Sequence, residues 1–97
     1  MKTFGEYVRE KRKTAKLTAG AVARRLGLNM QYLCKIEADK TPPPSPRVIA
    51  RLARILMADA EVLLLMAYAR KAPKPISATV GRLFRAEIDQ RIGAAAN

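Results

Sequence analysis

The chain has 97 residues, enough for one small domain, and 49% of them are hydrophobic, which allows a modest folded core. The net charge is +11, from nineteen basic and eight acidic residues, so a polyanion is the expected partner. No apolar stretch reaches the ~18 residues of a membrane span, the N-terminus lacks the apolar core of a signal peptide, and the single cysteine, Cys34, cannot form an internal disulfide; we therefore expect a cytoplasmic protein with no membrane partner.

The first predicted helix covers residues 4–15. Thr3 can cap its N-terminus, and Glu6 at the third helical position completes a capping-box pattern. Basic residues gather towards the end of this helix, where positive charge suits the helix dipole. Capping and charge therefore agree on the direction and extent of the helix.

Two short helices joined by a tight turn follow. The earlier one, residues 19–26, has Thr18 as its N-cap, and Gly27 ends it because glycine readily adopts the left-handed conformation of a sharp exit. The later one, residues 30–38, has Asn29 as its N-cap. Each has an apolar face, formed by Val22, Ala23 and Leu26 in the earlier helix and by Leu33 and Ile36 in the later one. This arrangement is typical of a helix-turn-helix, whose second helix enters the major groove of DNA.

Positive charge is concentrated in the half of the chain that carries this motif. Residues 1–57 contain thirteen basic and four acidic residues, whereas residues 58–97 contain six and four. Solvated surface lysine and arginine are the simpler explanation of such charge. The coincidence of motif and charge nevertheless favours a nucleic acid as the partner.

A proline-rich connector separates the helix-turn-helix from the next helix. Residues 39–46 contain four prolines, which fix φ and remove backbone donors, so this stretch cannot be helical. Ser45 is the N-cap of a fourth helix, and Pro46 occupies its first position. We interpret the prolines as a stiff connector rather than as a ligand for another protein.

Two further helices are predicted near the C-terminus. Asp59 caps the fifth, residues 60–69, which is apolar nearly all round and therefore needs burial on more than one side. A linker with two prolines, residues 70–75, precedes an amphipathic sixth helix over residues 78–92. The sequence shows no strand-like alternation, so the elements are all helical.

The joint spacing of several residue groups resembles the Xre family, which includes the lambdoid phage repressors and Cro. These groups are Leu17-Thr18, Val22-Ala23, Leu26-Gly27-Leu28, Tyr32-Leu33 and Lys35-Ile36-Glu37. The resemblance runs from about Phe4 to Ala69. It implies an all-α fold, with a five-helix lambda-repressor-like helix-turn-helix domain over residues 1–70. The added C-terminal helix would then belong to an extension, residues 71–97.

The chain departs from the family at two positions. Ala19 replaces the usual glutamine, so a side-chain contact to phosphate is absent, and Lys16 stands where glycine usually ends the first helix. Lys16 is therefore expected to adopt an unfavourable backbone conformation. The resemblance also implies a structural ion pair between Arg12 and Glu37, with a phosphate contact as the alternative role of Arg12.

Base-reading residues are expected at the start of the recognition helix, which is the second helix of the helix-turn-helix, residues 30–38. By resemblance, Asn29, Met30, Gln31 and Lys35 match base-reading positions. Glutamine or asparagine can bond bidentately to adenine, lysine can donate to guanine, and methionine can meet a thymine methyl group. The alternative roles are capping for Asn29, packing for Met30 and solvent exposure for Lys35. Cys34 is expected near the DNA-facing side and is interpreted as a small helix residue, with a redox switch as its alternative.

Phosphate contacts are expected on both flanks of the recognition helix. Thr18 and the backbone amide of Ala19 lie at a helix N-terminus, which attracts anions. Lys40 and Thr41 follow the recognition helix, and Tyr32 within it could contact a phosphate or a sugar. These residues would hold the helix in place without reading the sequence.

The predicted function is a sequence-specific double-stranded-DNA-binding transcriptional regulator, a repressor that binds an inverted-repeat operator as a homodimer. The alternative is an antitoxin-like or antiactivator-binding interaction module, whose main partner is another protein. A protein antagonist and RNA polymerase are further candidate partners. No catalytic set, metal-ligand cluster or cofactor motif is visible, so neither enzyme activity nor a cofactor is expected. The expected dimerisation residues are Leu64, Leu65, Leu83, Phe84 and Ile88.

Overall fold

Five helices follow one another in the computed structural model, which describes residues 2–71, 87 and 89–91. They are α1 (Phe4–Thr14), α2 (Ala19–Leu26), α3 (Met30–Glu37), α4 (Pro46–Leu56) and α5 (Ala60–Lys71). The described residues contain no strand, and the predicted all-α fold class is confirmed. No helix in this part of the chain is both long and apolar enough to cross a membrane.

The predicted sixth helix falls largely outside the described residues. Residues 87 and 89–91 are helical, in agreement with the prediction. Three of the expected dimerisation residues, Leu83, Phe84 and Ile88, lie outside the described part of the chain.

The predicted N-caps all form hydrogen bonds to the first turns of their helices. Thr3 and Glu6 make the reciprocal bonds of a capping box at the start of α1. The remaining caps bond to amides two or three residues ahead: Thr18 Oγ1 accepts from Ala21, Asn29 Oδ1 from Gln31, Ser45 Oγ from Val48, and Asp59 Oδ1 from Glu61 and Val62. These bonds satisfy amides that have no acceptor within the helix, and they fix where each helix begins.

The first four helices end in the same way, on a residue in the left-handed conformation. These residues are Lys16 (φ 60°), Gly27 (φ 71°), Asp39 (φ 58°) and Met57 (φ 54°). At each end, the next residue's amide bonds back to a carbonyl five positions earlier, as in Leu17 to Arg12 and Lys40 to Lys35. The unfavourable conformation expected of Lys16 is therefore confirmed, and Asp39 and Met57 share it.

Three predicted helix ends were wrong by one or two residues. Helix α1 ends at Thr14 rather than at residue 15, and α3 ends at Glu37 rather than at residue 38, because the left-handed residue begins to turn the chain away. Helix α5 continues to Lys71, so the predicted linker does not begin at Arg70. Both Arg70 and Lys71 are held by distant backbone carbonyls, which extends the helix.

The helices enclose one core and leave the outer face of α3 uncovered. Helix α1 packs against α3 and α5, α2 against α3 and α4, and α4 against α5. Helix α5 buries Val62, Leu63, Met66 and Ala67, whereas Leu64 and Leu65 are half-buried. The buried apolar residues of the other helices are Phe4, Tyr7, Val8, Val22, Ala23, Leu26, Leu33, Ile36, Ile49, Leu52, Ala53 and Leu56.

Candidate nucleic-acid interface

Helix α3 has one face in the core and one face in solvent. Leu33 and Ile36 are buried, and they anchor the helix against α1 and α2. The solvent face carries four exposed side chains, Met30, Gln31, Cys34 and Lys35. At about 100° per residue, these positions span less than half of the helix circumference. The helix therefore presents a continuous polar and sulfur-containing face to a partner.

Three of the four expected base-reading residues lie on this face. Gln31 and Lys35 are exposed one turn apart, and Met30 is 52% exposed. Met30 also covers Gly20 of α2, since its Sδ lies 3.5 Å from the position that a Cβ on Gly20 would occupy. Asn29 Oδ1 accepts a hydrogen bond from the Gln31 amide at 2.7 Å, so that oxygen caps α3 and only the side-chain NH₂ can donate to a base.

Cys34 shares the exposed face of α3 with the expected base-reading residues, in agreement with its expected position. It lies three residues after Gln31 and directly before Lys35, and its side chain is exposed. Cys34 and Gln31 are therefore neighbours on the helix surface, because residues three apart lie on the same side of a helix.

The expected phosphate-binding residues lie at the two ends of the helix-turn-helix. Thr18 is exposed, and Ala19 is the first residue of α2, where the amide has no acceptor within the helix. Lys40 is exposed and Thr41 half-buried in the segment that follows α3. Tyr32 lies within α3 rather than at one of these ends, is half-buried and packs against the core.

Arg12 and Glu37 form a bidentate ion pair between α1 and the end of α3. Arg12 Nε donates to Glu37 Oε2 at 2.7 Å, and Nη2 donates to Oε1 at 3.1 Å. Arg12 Nη1 also donates to the Leu17 carbonyl at 2.9 Å. The hydrogen bond to Glu37 raises the pKa of Arg12, and burial opposes this effect. With this geometry Arg12 has a structural partner, and three of its five N–H groups are used within the fold.

A second arginine, Arg51 of α4, holds the end of α2. Its Nη2 donates to the Arg25 carbonyl at 3.0 Å and its Nη1 to the Leu26 carbonyl at 3.5 Å. A guanidinium at this position satisfies carbonyls that lack partners within the helix and complements the negative end of its dipole. No local pattern in the sequence indicates this role for Arg51, because the acceptors lie 25 and 26 residues earlier in the chain.

The match to a family model agrees with this geometry. A model described as a helix-turn-helix domain matches residues 3–65 of the chain. The chain belongs to this helix-turn-helix family. The resemblance to Xre and Cro-like repressors that the sequence indicated is confirmed.

Two individual proteins resemble this helix-turn-helix chain. An uncharacterized HTH-type transcriptional regulator of Bacillus subtilis (strain 168), RghRB, is 36% identical over 64 residues, which are 66% of this chain and 46% of that relative. The chain thus matches less than half of the relative's length. The crystal structure of SinR, a master regulator for biofilm formation in complex with DNA, matches with a TM-score of 0.59 and 22% identity, over 64% of this chain and 98% of SinR. At this level of identity the likeness concerns the fold.

Proposed function

We propose that this protein is a sequence-specific double-stranded-DNA-binding regulator of transcription, a cytoplasmic repressor that occupies an inverted-repeat operator as a homodimer. The observation that carries the proposal is the exposed face of α3, on which Gln31 and Lys35 lie one turn apart above a buried apolar face. The relative from Bacillus subtilis is named as an HTH-type transcriptional regulator, and SinR was solved in complex with DNA, which supports the same function.

In the proposed complex, the N-terminal end of α3 enters the major groove. The Gln31 amide is suited to accept from and donate to one adenine, and the Lys35 ammonium is suited to donate to guanine. The Met30 side chain can pack against a thymine methyl group, while the Asn29 NH₂ can donate to a base as its oxygen caps the helix. Recognition of a specific sequence follows from these four side chains acting together.

Contacts to the DNA backbone on both flanks of the recognition helix would supply affinity that does not depend on the base sequence. The hydroxyl of Thr18 and the amide of Ala19 would contact one phosphate at the positive end of α2. Lys40, Thr41 and Tyr32 would contact the backbone on the other side of the recognition helix. Because such contacts release counterions, affinity should fall steeply with salt, and a flat response between low and physiological salt would contradict the electrostatic part of the proposal.

The reading residues can be tested once a preferred duplex has been selected from random DNA with the wild-type protein. Gln31→Ala and Lys35→Ala should each weaken binding to that duplex by about 1–3 kcal/mol and barely change binding to a scrambled duplex. Lys40→Ala is the matched control, since loss of a phosphate contact should weaken both duplexes alike. If the α3 variants also weaken both duplexes equally, these residues do not read bases.

The dimer is proposed from the apolar surface of α5. Leu64 and Leu65 are half-buried and line a groove with Ile49 of α4. Arg91 pairs with Glu61 at 2.7 Å, which brings part of the predicted sixth helix to the start of α5 within one chain. A two-fold dimer that uses both helices would set two recognition helices about 34 Å apart on one face of DNA.

Sedimentation of the wild type and of two variants tests this assembly. Phe84→Glu should give a monomer with sharply lower affinity for the selected duplex and an intact helix-turn-helix. Met57→Gln is the control, because Met57 is 89% exposed and lies at the far end of α4. A wild type that stays monomeric at micromolar concentration and on DNA would refute the homodimer and leave the groove for a different protein partner.

A further inference from the structure

Asp39 ends the recognition helix in the left-handed conformation, which is costly for most L-residues and which aspartate tolerates better than most. Its φ of 58° lies in the left-handed region, where the Cβ of an L-residue approaches the following carbonyl. The Asp39 amide bonds to the Ile36 carbonyl at 3.1 Å, and the Lys40 amide bonds to the Lys35 carbonyl at 2.9 Å. The left-handed residue that ends α3 therefore lies four residues after Lys35 and directly before Lys40, which both belong to the proposed interface.

The carboxylate of Asp39 joins three parts of the fold. Its Oδ1 accepts from the Gly5 amide at 3.0 Å, and its Oδ2 accepts from the Thr3 hydroxyl. On the other side, Arg70 Nη1 lies 3.2 Å from Oδ1, and Arg70 Nη2 donates to the Asp39 carbonyl at 2.8 Å. A single residue thus connects the end of the recognition helix to the first turn of α1 and the last turn of α5. Neither Lys16 nor Met57, the other side chains in this conformation, has a comparable set of recorded side-chain bonds.

Gly5 shows how closely α1 approaches the end of α3 at this junction, the point where Asp39 connects α3 to α1 and α5. A Cβ on Gly5 would lie 2.4 Å from the Ile36 carbonyl oxygen, 2.5 Å from that of Glu37 and 2.8 Å from Asp39 Oδ1. Only glycine fits such a contact, so the first turn of α1 lies directly on the last turn of α3. The negative carboxylate also suits the positive N-terminal end of α1. The junction therefore has little freedom to move while the carboxylate is in place.

We propose that Asp39 is a positioning residue for base recognition, which fixes the C-terminal end of α3, and with it Lys35 and Lys40, against α1 and α5. Asn29 fixes the N-terminal end of the same helix through its cap. A base-reading side chain must be held within about 0.5 Å of its productive position, so a recognition helix held at one end only should discriminate less well. Because the role concerns base recognition, it rests on the DNA-binding function proposed above.

The test compares Asp39→Gly and Asp39→Asn with Lys16→Gly, all at a temperature where circular dichroism shows each variant to be folded. The measured quantity is the ratio of affinities for the selected and the scrambled duplex. Asp39→Gly keeps the left-handed turn and removes the carboxylate, and it should lower this ratio by about tenfold, as expected for the loss of one base contact. Asp39→Asn retains an acceptor for Gly5 and loses the charge for Arg70, so its ratio should be intermediate. Lys16→Gly should keep the wild-type ratio.

Hydrogen exchange in the free protein gives an independent measurement. Asp39→Gly should speed exchange at the Gly5 and Lys40 amides and leave the Leu17 amide, at the end of α1, unchanged. A folded Asp39→Gly that keeps the wild-type affinity ratio would overturn the proposal, since a residue important only for stability would lower the melting temperature without changing that ratio. If the wild type itself shows no sequence preference, the proposed function fails, and unchanged exchange at Gly5 and Lys40 would then overturn the positioning role separately.

Discussion

Removal of one partner of the Arg12–Glu37 pair should have the largest effect on stability of any single polar substitution in the described residues. The two side chains are only 14% and 6% exposed, and they meet in a bidentate contact. Glu37→Ala leaves the guanidinium buried with only the Leu17 carbonyl as a recorded partner. Loss of one member of a buried pair costs about 3–5 kcal/mol, and the remaining bond and partial exposure of Arg12 favour the lower end.

A loss of about 3 kcal/mol is large for a chain of this size. Small domains unfold with free energies of about 5–15 kcal/mol, and each kcal/mol shifts the melting temperature by about 4–8 °C in this size range. Glu37→Ala should therefore melt roughly 12–24 °C below the wild type. Operator affinity should fall as well, because Glu37 is the last residue of α3.

Calorimetry of three variants tests this reasoning. Glu37→Gln keeps one acceptor for Arg12 and should lie between the wild type and Glu37→Ala. The double variant Arg12→Met with Glu37→Leu removes both charges and should recover most of the stability, since apolar replacements of a buried pair are often neutral. A Glu37→Ala variant that melts within about 2 °C of the wild type would show that the pair is solvated and that burial does not govern its energy.

Three further outcomes are expected. We expect Lys16→Gly and Met57→Gly each to raise the free energy of unfolding by up to about 1 kcal/mol in urea titrations. The reason is that glycine removes the strain of the left-handed conformation at these exposed residues. No gain in either variant would show that the left-handed conformation is not strained there. Burial, followed by the charges of nearby carboxylates, raises the pKa of Tyr7 above 10.0. The stability that comes from keeping the Tyr7 hydroxyl protonated should therefore be present below pH 10 and lost as pH rises further. In Tyr7→Phe, the free energy of unfolding should fall less over this alkaline range. The selected duplex should slow alkylation of Cys34, the chain's single cysteine, whereas equal alkylation of the free and bound protein would place the DNA elsewhere.

The helix starts could be predicted from the sequence because their causes are local. Thr3, Thr18, Asn29 and Ser45 each bond to an amide two or three residues ahead, and so residue type and spacing are sufficient. The left-handed turn at Gly27 followed from glycine in the same way. The buried faces of α2 and α3 were predictable for a related reason, since apolar periodicity identifies the side of a helix that faces the core.

Features that depend on distant partners could not be predicted. Met57 carries no local signal for a left-handed turn. Aspartate tolerates such a turn, but at Asp39 the conformation also coincides with bonds to residues 34 and 36 positions earlier. Helix α5 extends to Lys71, and the side chains of Arg70 and Lys71 donate to carbonyls 31 and 27 residues away. Arg51 at the end of α2 is a third case. Family resemblance supplied the one long-range contact that was predicted, between Arg12 and Glu37.

These long-range contacts also change the meaning of the net charge. The composition suggests that many of the nineteen basic residues could neutralise phosphate, but several of them form ion pairs or hydrogen bonds within the fold. Arg12 and Arg70 pair with Glu37 and Asp39, and Arg51 binds backbone carbonyls. All three hold an end of α2 or α3, so in the proposed complex we expect them to keep the helix-turn-helix rigid rather than to contact the DNA backbone. The slope of affinity against salt concentration depends on the number of phosphates that the protein contacts. This slope should therefore indicate fewer phosphate contacts than the composition suggests, and exposed side chains such as Lys40 should make those contacts.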